Sequence, residues 1–281
     1  MGRFKQYGAE FGLIGATSVI GALGFWNIYL GPSADPQPHH HLHIATTYLW
    51  LGLLFAQLAQ LARGNASRHR RLGLAVLAAG PLLVASAALL TVHSAQRAIA
   101  SGEPDFLIVQ NVVGTVWLAL VLFLAFALKR RRKLHGALLM STLVLFLGPA
   151  LFFALLAFAP PFRIEGPETF YRFQTAAMTG QAIIAVVVLA MLLRDRRNNW
   201  PYLLAGGSYL VAEAAKAWLT HLELIDPLTR LVATPGKAAA FLVALALVAV
   251  LLAASVWPRG NGRHPSRPVA VAADVAGDRA V

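Results

Sequence analysis

Residues 107–158 read LIVQNVVGTVWLALVLFLAFALKRRRKLHGALLMSTLVLFLGPALFFALLAF. Two apolar runs, about 107–128 and 136–158, flank five consecutive basic residues, Lys129 to Lys133. Each run is long enough for a helix to cross roughly 30 Å of hydrocarbon, which takes about 20 residues. The basic block between them cannot enter lipid cheaply, so the stretch predicts two membrane-spanning helices joined by a turn at one face.

Working outward, the same pattern recurs. Further runs lie at about 11–30, 43–62, 72–93, 174–193, 201–221 and 237–257, making eight expected spans. The composition agrees: 58% hydrophobic, 13% charged and a mean hydropathy of +0.63 over 281 residues. A soluble domain is about 45–50% apolar and about 25% charged, so a soluble enzyme and a disordered chain are both excluded. The expected fold is therefore an all-α, polytopic transmembrane bundle over residues 1–257, followed by a flexible cytoplasmic tail, 258–281. That tail is rich in Gly and Pro and has no helical stripe. The first run is too long for a signal-peptide core, and Pro32-Ser33-Ala34 is a poor cleavage site, so it is expected to stay as a helix. With no cysteine, disulfides, iron–sulfur clusters, Cys-ligated zinc and thioether-attached haem are excluded.

The formal charge of +12 is explained by topology. Eighteen of the Lys and Arg residues fall in one alternating set of segments: Arg3 and Lys5, Arg63 to Arg71, Lys129 to Lys133, Arg194 to Arg197, and the tail. Five fall in the other set: Arg97, Arg163, Arg172, Arg230 and Lys237. The positive-inside rule then places both termini in the cytoplasm of a plasma (bacterial inner) membrane. The basic residues face anionic headgroups, and no nucleic-acid partner is needed.

An internal repeat is also expected. Trp50-Leu51-Gly52-Leu53 leads through a basic turn to His69 and then Gly80-Pro81, while Trp117-Leu118-Ala119-Leu120 leads to His135 and then Gly148-Pro149. Both hairpins run in the same sense, making spans 2–5 a repeated four-helix core of parallel type.

The histidines are concentrated. His39, His40, His41 and His43 crowd the outer end of span 2, while His93 and His221 close spans 3 and 7 on the same side. The spans are of similar length and helical rise is constant, so these ends share a depth. Neutral imidazole binds transition metals and haem iron, so His39, His41, His43, His93 and His221 are candidate metal ligands. A solvated helix cap or a pH-responsive patch is the alternative.

His41-Leu42-His43 opening one span, and His69-Arg70-Arg71-Leu72-Gly73 opening the next, resemble a group of uncharacterised bacterial multi-pass membrane proteins with His-x-His and His-Arg-x-Leu-Gly motifs. These are loosely similar to cytochrome b561-type haem proteins, over about residues 39–157. That resemblance implies haem b near each membrane face, the outer one on His43 and His93, the inner one on His69 and His135. It further implies electron transfer with a membrane redox partner. A second likeness, to membrane-embedded zinc hydrolases, implies His43, His93 and His221 as ligands and Asp105 or Asp35 as base.

Glu213 and Lys216, three apart, share a face of span 7. Helical rise puts Glu213 about 18 Å from the inner boundary. An intramembrane charge costs about 2.5–3.5 kcal/mol on insertion scales, so the two residues form either a self-neutralising pair or a proton or substrate site. Gln57, Gln60, Asn111 and Gln181 are expected to line the same interior or to join helices. A small-molecule or proton-coupled transporter centred on Glu213 and Lys216, and a non-catalytic membrane subunit, are the other functions the pattern allows. No Walker, Rossmann or nucleophile-elbow motif is present.

Overall fold

A computed structural model describes residues 2–256, all-helical with no strand among them. The expected tail 258–281, with His264, lies outside the described residues. The helices are α1 (Gly2–Gln6), α2 (Gly8–Gly24), α3 (Pro38–Ala62), α4 (Ala66–Ser101), α5 (Ile108–Ala127), α6 (Arg132–Phe158), α7 (Tyr171–Arg194), α8 (Trp200–His221), α9 (Ile225–Ala233) and α10 (Lys237–Val256). A π-helical turn, Trp26–Leu30, follows α2.

Six helical segments are long and apolar enough to cross a membrane: α3, α4, α5, α6, Pro167–Arg194 (which contains α7) and α10. The bundle is thus that of an integral membrane protein. Two of the eight expected stretches form helices outside that group. α2 is only 17 residues long before its geometry widens into the π turn, and α8, at 22 residues, is interrupted by Glu213 and Lys216. The segment 222–236, expected to be a plain connection, contains α9. Its Ile225, Leu228 and Val232 pack onto Ala95, Ile108 and Val109, so a short amphipathic helix closes that end.

Local signals set the ends. Pro38 opens α3 at a position where its missing N–H costs nothing, and the Gln37 N–H donates to His40 Nδ1 there. The Asn65 side chain accepts from the Arg68 N–H to start α4, and Gly102, at φ +71°, ends it in the left-handed conformation that glycine tolerates. At 36 residues α4 is about 54 Å long, well beyond the hydrocarbon thickness, so it projects past the lipid.

α4 and α6 form the centre. α4 packs against α3, α5, α9 and α10, and α6 against α2, α5, α7 and α8. The two tryptophans of the expected repeat each reach across to another helix. Trp50, fully buried, donates Nε1–H to Thr142 Oγ1 (3.0 Å), and Trp117 donates to the Leu204 carbonyl (2.7 Å). Such bonds satisfy indole N–H groups that lipid would leave unpaired.

The bundle has two chemically distinct ends. At one, Arg194 pairs with Glu10 (2.9 Å), Lys133 meets Asp195 (3.6 Å), and Lys129 donates to the carbonyls of Ser255 and Val256 at the end of α10. The Asn198 side chain, hydrogen-bonded to Asp195 at 2.8 Å, holds that carboxyl below its usual range, with Lys133 adding to the effect. At the other end, Gln96 ties α4 to the carbonyls of Ala233 and Pro235 (3.1 Å each), and the histidines collect.

Candidate functional site

The first turn of α3 and the last third of α4 bring His39, His40 and His93 together. One ring nitrogen from each lies within 4.8 Å of the others, the only such His/Cys/Asp/Glu group among the described residues. Ring centroids are 3.8 Å apart for His39–His93, 4.2 Å for His39–His40 and 5.7 Å for His40–His93. His39 Nε2 and His93 Nδ1 are buried and have no hydrogen-bond partner. Buried polar atoms are almost always paired, so two orphaned nitrogens in one cluster call for a missing partner. Tetrahedral ligation at about 2.0–2.1 Å sets ligand nitrogens about 3.4 Å apart, so contraction of about 1.4 Å or less would close this group on an ion.

His40 is engaged differently. Its Nδ1 accepts the Gln37 N–H (2.9 Å), so in the neutral ring the proton sits on Nε2. Whichever nitrogen a metal took, His40 would surrender that helix cap, a loss of about 1 kcal/mol. His39 and His93 also border a groove of about 560 Å³ that Lys237 lines. An ion bound here would therefore have a cation beside it and an open side.

The remaining expected ligands go elsewhere. His41 is exposed and bonds Tyr29 on the π turn (Nδ1 to hydroxyl, 2.8 Å). His221 ends α8, exposed, and does not belong to the three-histidine group. His43 turns one helical turn deeper, where its Nδ1 meets Ser86 Oγ at 3.1 Å. Ser86 Oγ also lies 2.8 Å from the Leu83 carbonyl and 2.7 Å from Thr46 Oγ1, which is itself 3.0 Å from the His43 carbonyl, so His43 belongs to a small hydroxyl network. A His43 Nδ1–H donated to Ser86 would leave the Nε2 lone pair for a metal or haem iron. His69 and His135 each occupy the fourth position of their helices, α4 and α6, and are half-buried. His135 Nδ1–H donates to the Ala125 carbonyl (2.8 Å), and His69 Nδ1 is buried without a partner. Asp105 accepts from Ser94 (2.8 Å) and from the Leu107 N–H (3.0 Å), and Asp35 from Gln37 (3.2 Å).

Below the histidines the bundle encloses a chamber of about 720 Å³, onto which His40, His43 and His93 all open. Glu213 and Lys216 line it, yet they make no ion pair among the described residues. Glu213 Oε1 instead accepts from Gln110 of α5 and Gln181 of α7, each at 3.2 Å. Neutral amide donors thus solvate the carboxyl group where salt-bridge formation was one of the two expectations.

Sequence reasoning leaves two of these participants out. His40 belongs to the crowd but not to the expected ligand set, because adjacent residues diverge on a helix. In the first turn of α3 its ring nevertheless lies 4.2 Å from that of His39, and His93 of α4 approaches both. Gln110 carries no signal beyond being polar in an apolar run. Compared with known proteins, the chain matches no family model, no curated protein and no solved structure.

Proposed function

We propose that this protein is an integral membrane metalloprotein of the electron-transfer type, holding a transition metal between His39, His40 and His93. The observation that carries this is the convergence of three imidazole nitrogens within 4.8 Å, two of them buried and unpaired. An all-nitrogen set suits Zn, Cu, Fe or Ni, and three protein ligands leave a coordination position open to the groove. The split of basic residues favours the outer face for this centre, with eight spans and both termini in the cytoplasm. The equivalent positions of His69 and His135 support spans 2–5 as two copies of one hairpin.

A haem version of the proposal rests on a separate observation. His43, whose Nδ1 is held by Ser86, lines the same chamber as His93, so the two are the natural axial candidates for haem b. The hydrolase alternative has less support, because Asp105 and Asp35 are both engaged by local donors. The transporter alternative draws on Glu213, a carboxyl group facing a chamber.

Metal analysis of the purified full chain, with absorption spectra of its oxidised and reduced forms, is the test. Stoichiometric metal lost in His39→Ala and His93→Ala supports the three-histidine centre. A Soret band lost in His43→Ala supports haem. A colourless protein that takes up no Cu(II), Zn(II) or Fe(II) sinks both.

A further inference from the structure

We infer that the chamber beneath the histidines is a binding site for a neutral lipophilic molecule with a hydroxyl head group, an alcohol or phenol, whose O–H is donated to Glu213. His40 and His93 of the metal centre border this chamber, but the inference requires no metal.

The chamber volume, about 720 Å³, lies within the roughly 300–1,000 Å³ of small-molecule sites. Most of its wall surface is apolar, with polar side chains on several helices set into it. Thr17 Oγ1, Thr47 Oγ1 and Gln110 Oε1 belong to residues on that wall and are buried without partners. Several orphaned groups around one space point to an occupant that supplies hydrogen bonds.

The arrangement at Glu213 selects the head group. Gln110 and Gln181 both donate to Oε1, so Oε2 makes no hydrogen bond among the described residues. The orphaned Gln110 Oε1 is a second acceptor on the residue that bonds Glu213. Two acceptors in one locality need a donor. An ammonium head is disfavoured because Lys216 and Arg97 also line the chamber, and an anionic head because it would approach the Glu213 carboxyl oxygens. A neutral O–H satisfies the acceptors without bringing a charge into a low-dielectric space.

The route of access selects the body. Ile28 and Tyr48 contribute to the wall and are exposed on the bundle surface within the apolar segments. There α2 packs only lightly on α3, with Tyr48 bridging them through a hydrogen bond to the Ser18 carbonyl (2.9 Å). An opening on that side faces acyl chains, so the ligand arrives from the bilayer.

Binding of 4-octylphenol to the detergent-solubilised full chain, measured by titration calorimetry against octylbenzene in the same micelles, tests the inference. Octylphenol should bind at least tenfold more tightly than octylbenzene. Glu213→Gln keeps an oxygen for Gln110 and Gln181 but replaces Oε2 with a donor, and should cut the preference below threefold. Gly114 lines the chamber with open space around a Cβ, so the side chain of Gly114→Leu should protrude into it and weaken binding of both compounds. His39→Ala should leave octylphenol binding unchanged while removing metal, which separates this inference from the metal proposal. Equal affinity for the two compounds in the wild type overturns it. So does octylphenol binding that survives Gly114→Leu at full strength. If Gly114→Leu fails to fold, a preference unchanged by Glu213→Gln overturns it alone.

Discussion

The Tyr209 hydroxyl on α8 caps the carbonyl of Leu145 on α6 at 3.1 Å and reaches that of Val144 at 2.8 Å. Leu145 is four residues before Pro149, and a proline has no N–H for that carbonyl. In lipid the vacancy must be filled from a neighbouring helix, and Tyr209 fills it. Gly148 permits the approach, since a Cβ there would collide with the tyrosine ring and hydroxyl.

Tyr209→Phe should therefore lower stability by about 1 kcal/mol, the loss of one interhelical hydrogen bond. Gly148→Ala should cost more, by steric overlap. The Gly148→Ala/Tyr209→Ala double variant should cost less than the two single effects combined, read from thermal unfolding in detergent. Strict additivity would mean the close approach is not why position 148 carries glycine.

At the histidine cluster, His39→Ala and His93→Ala should each reduce Zn(II) or Cu(II) content to background, while His41→Ala and His221→Ala retain it. His40→Ala should lower metal content and also loosen the start of α3, because the Gln37 cap goes with it. Hydrogen exchange at residues 37–41 checks the second effect. Retention of full metal by the His39/His93 double variant would remove the centre.

Metal loading should fall with acidity. Binding needs neutral imidazole, whose ordinary pKa is about 6.5, so protons compete below that value and metal is released at acid pH. Equilibrium dialysis between about pH 3 and 8 reads the transition. Loading that is flat across this range would mean imidazole is not the ligand.

Glu213→Ala should destabilise by about 1–3 kcal/mol, because it strands the amide donors of Gln110 and Gln181 together. Lys216→Met should change stability by less than about 1 kcal/mol, the ordinary range for a side chain outside any pairing network. Thermal unfolding of the two single variants distinguishes this from a mutual ion pair, for which both losses would be of similar size.

The cysteine-free chain is a clean background for labelling topology. Single cysteines at Asp35 and Glu165 should react with an impermeant thiol reagent added outside cells, and one at Arg131 only after the membrane is opened. The opposite result would invert the orientation drawn from the basic residues.

Hydropathy along the chain located every long helix, although 72–93 falls six and eight residues short of the ends of Ala66–Ser101, because a run of about 20 apolar residues has few other stable forms. It also put His39 to His43 and His93 at one end of the bundle, since position along a helix follows directly from its fixed rise. It did not carry azimuth. Which way a side chain points around its helix depends on the rotation and tilt of that helix against its neighbours, and in lipid an apolar residue facing protein reads like one facing acyl chains. Hence the tertiary structure alone decided that His93 wedges against His39 and His40, that His43 turns to Ser86 and His41 to Tyr29, and that Glu213 meets amides from α5 and α7 before Lys216. Those choices are made by packing between helices distant in the chain, where composition and spacing have no reach.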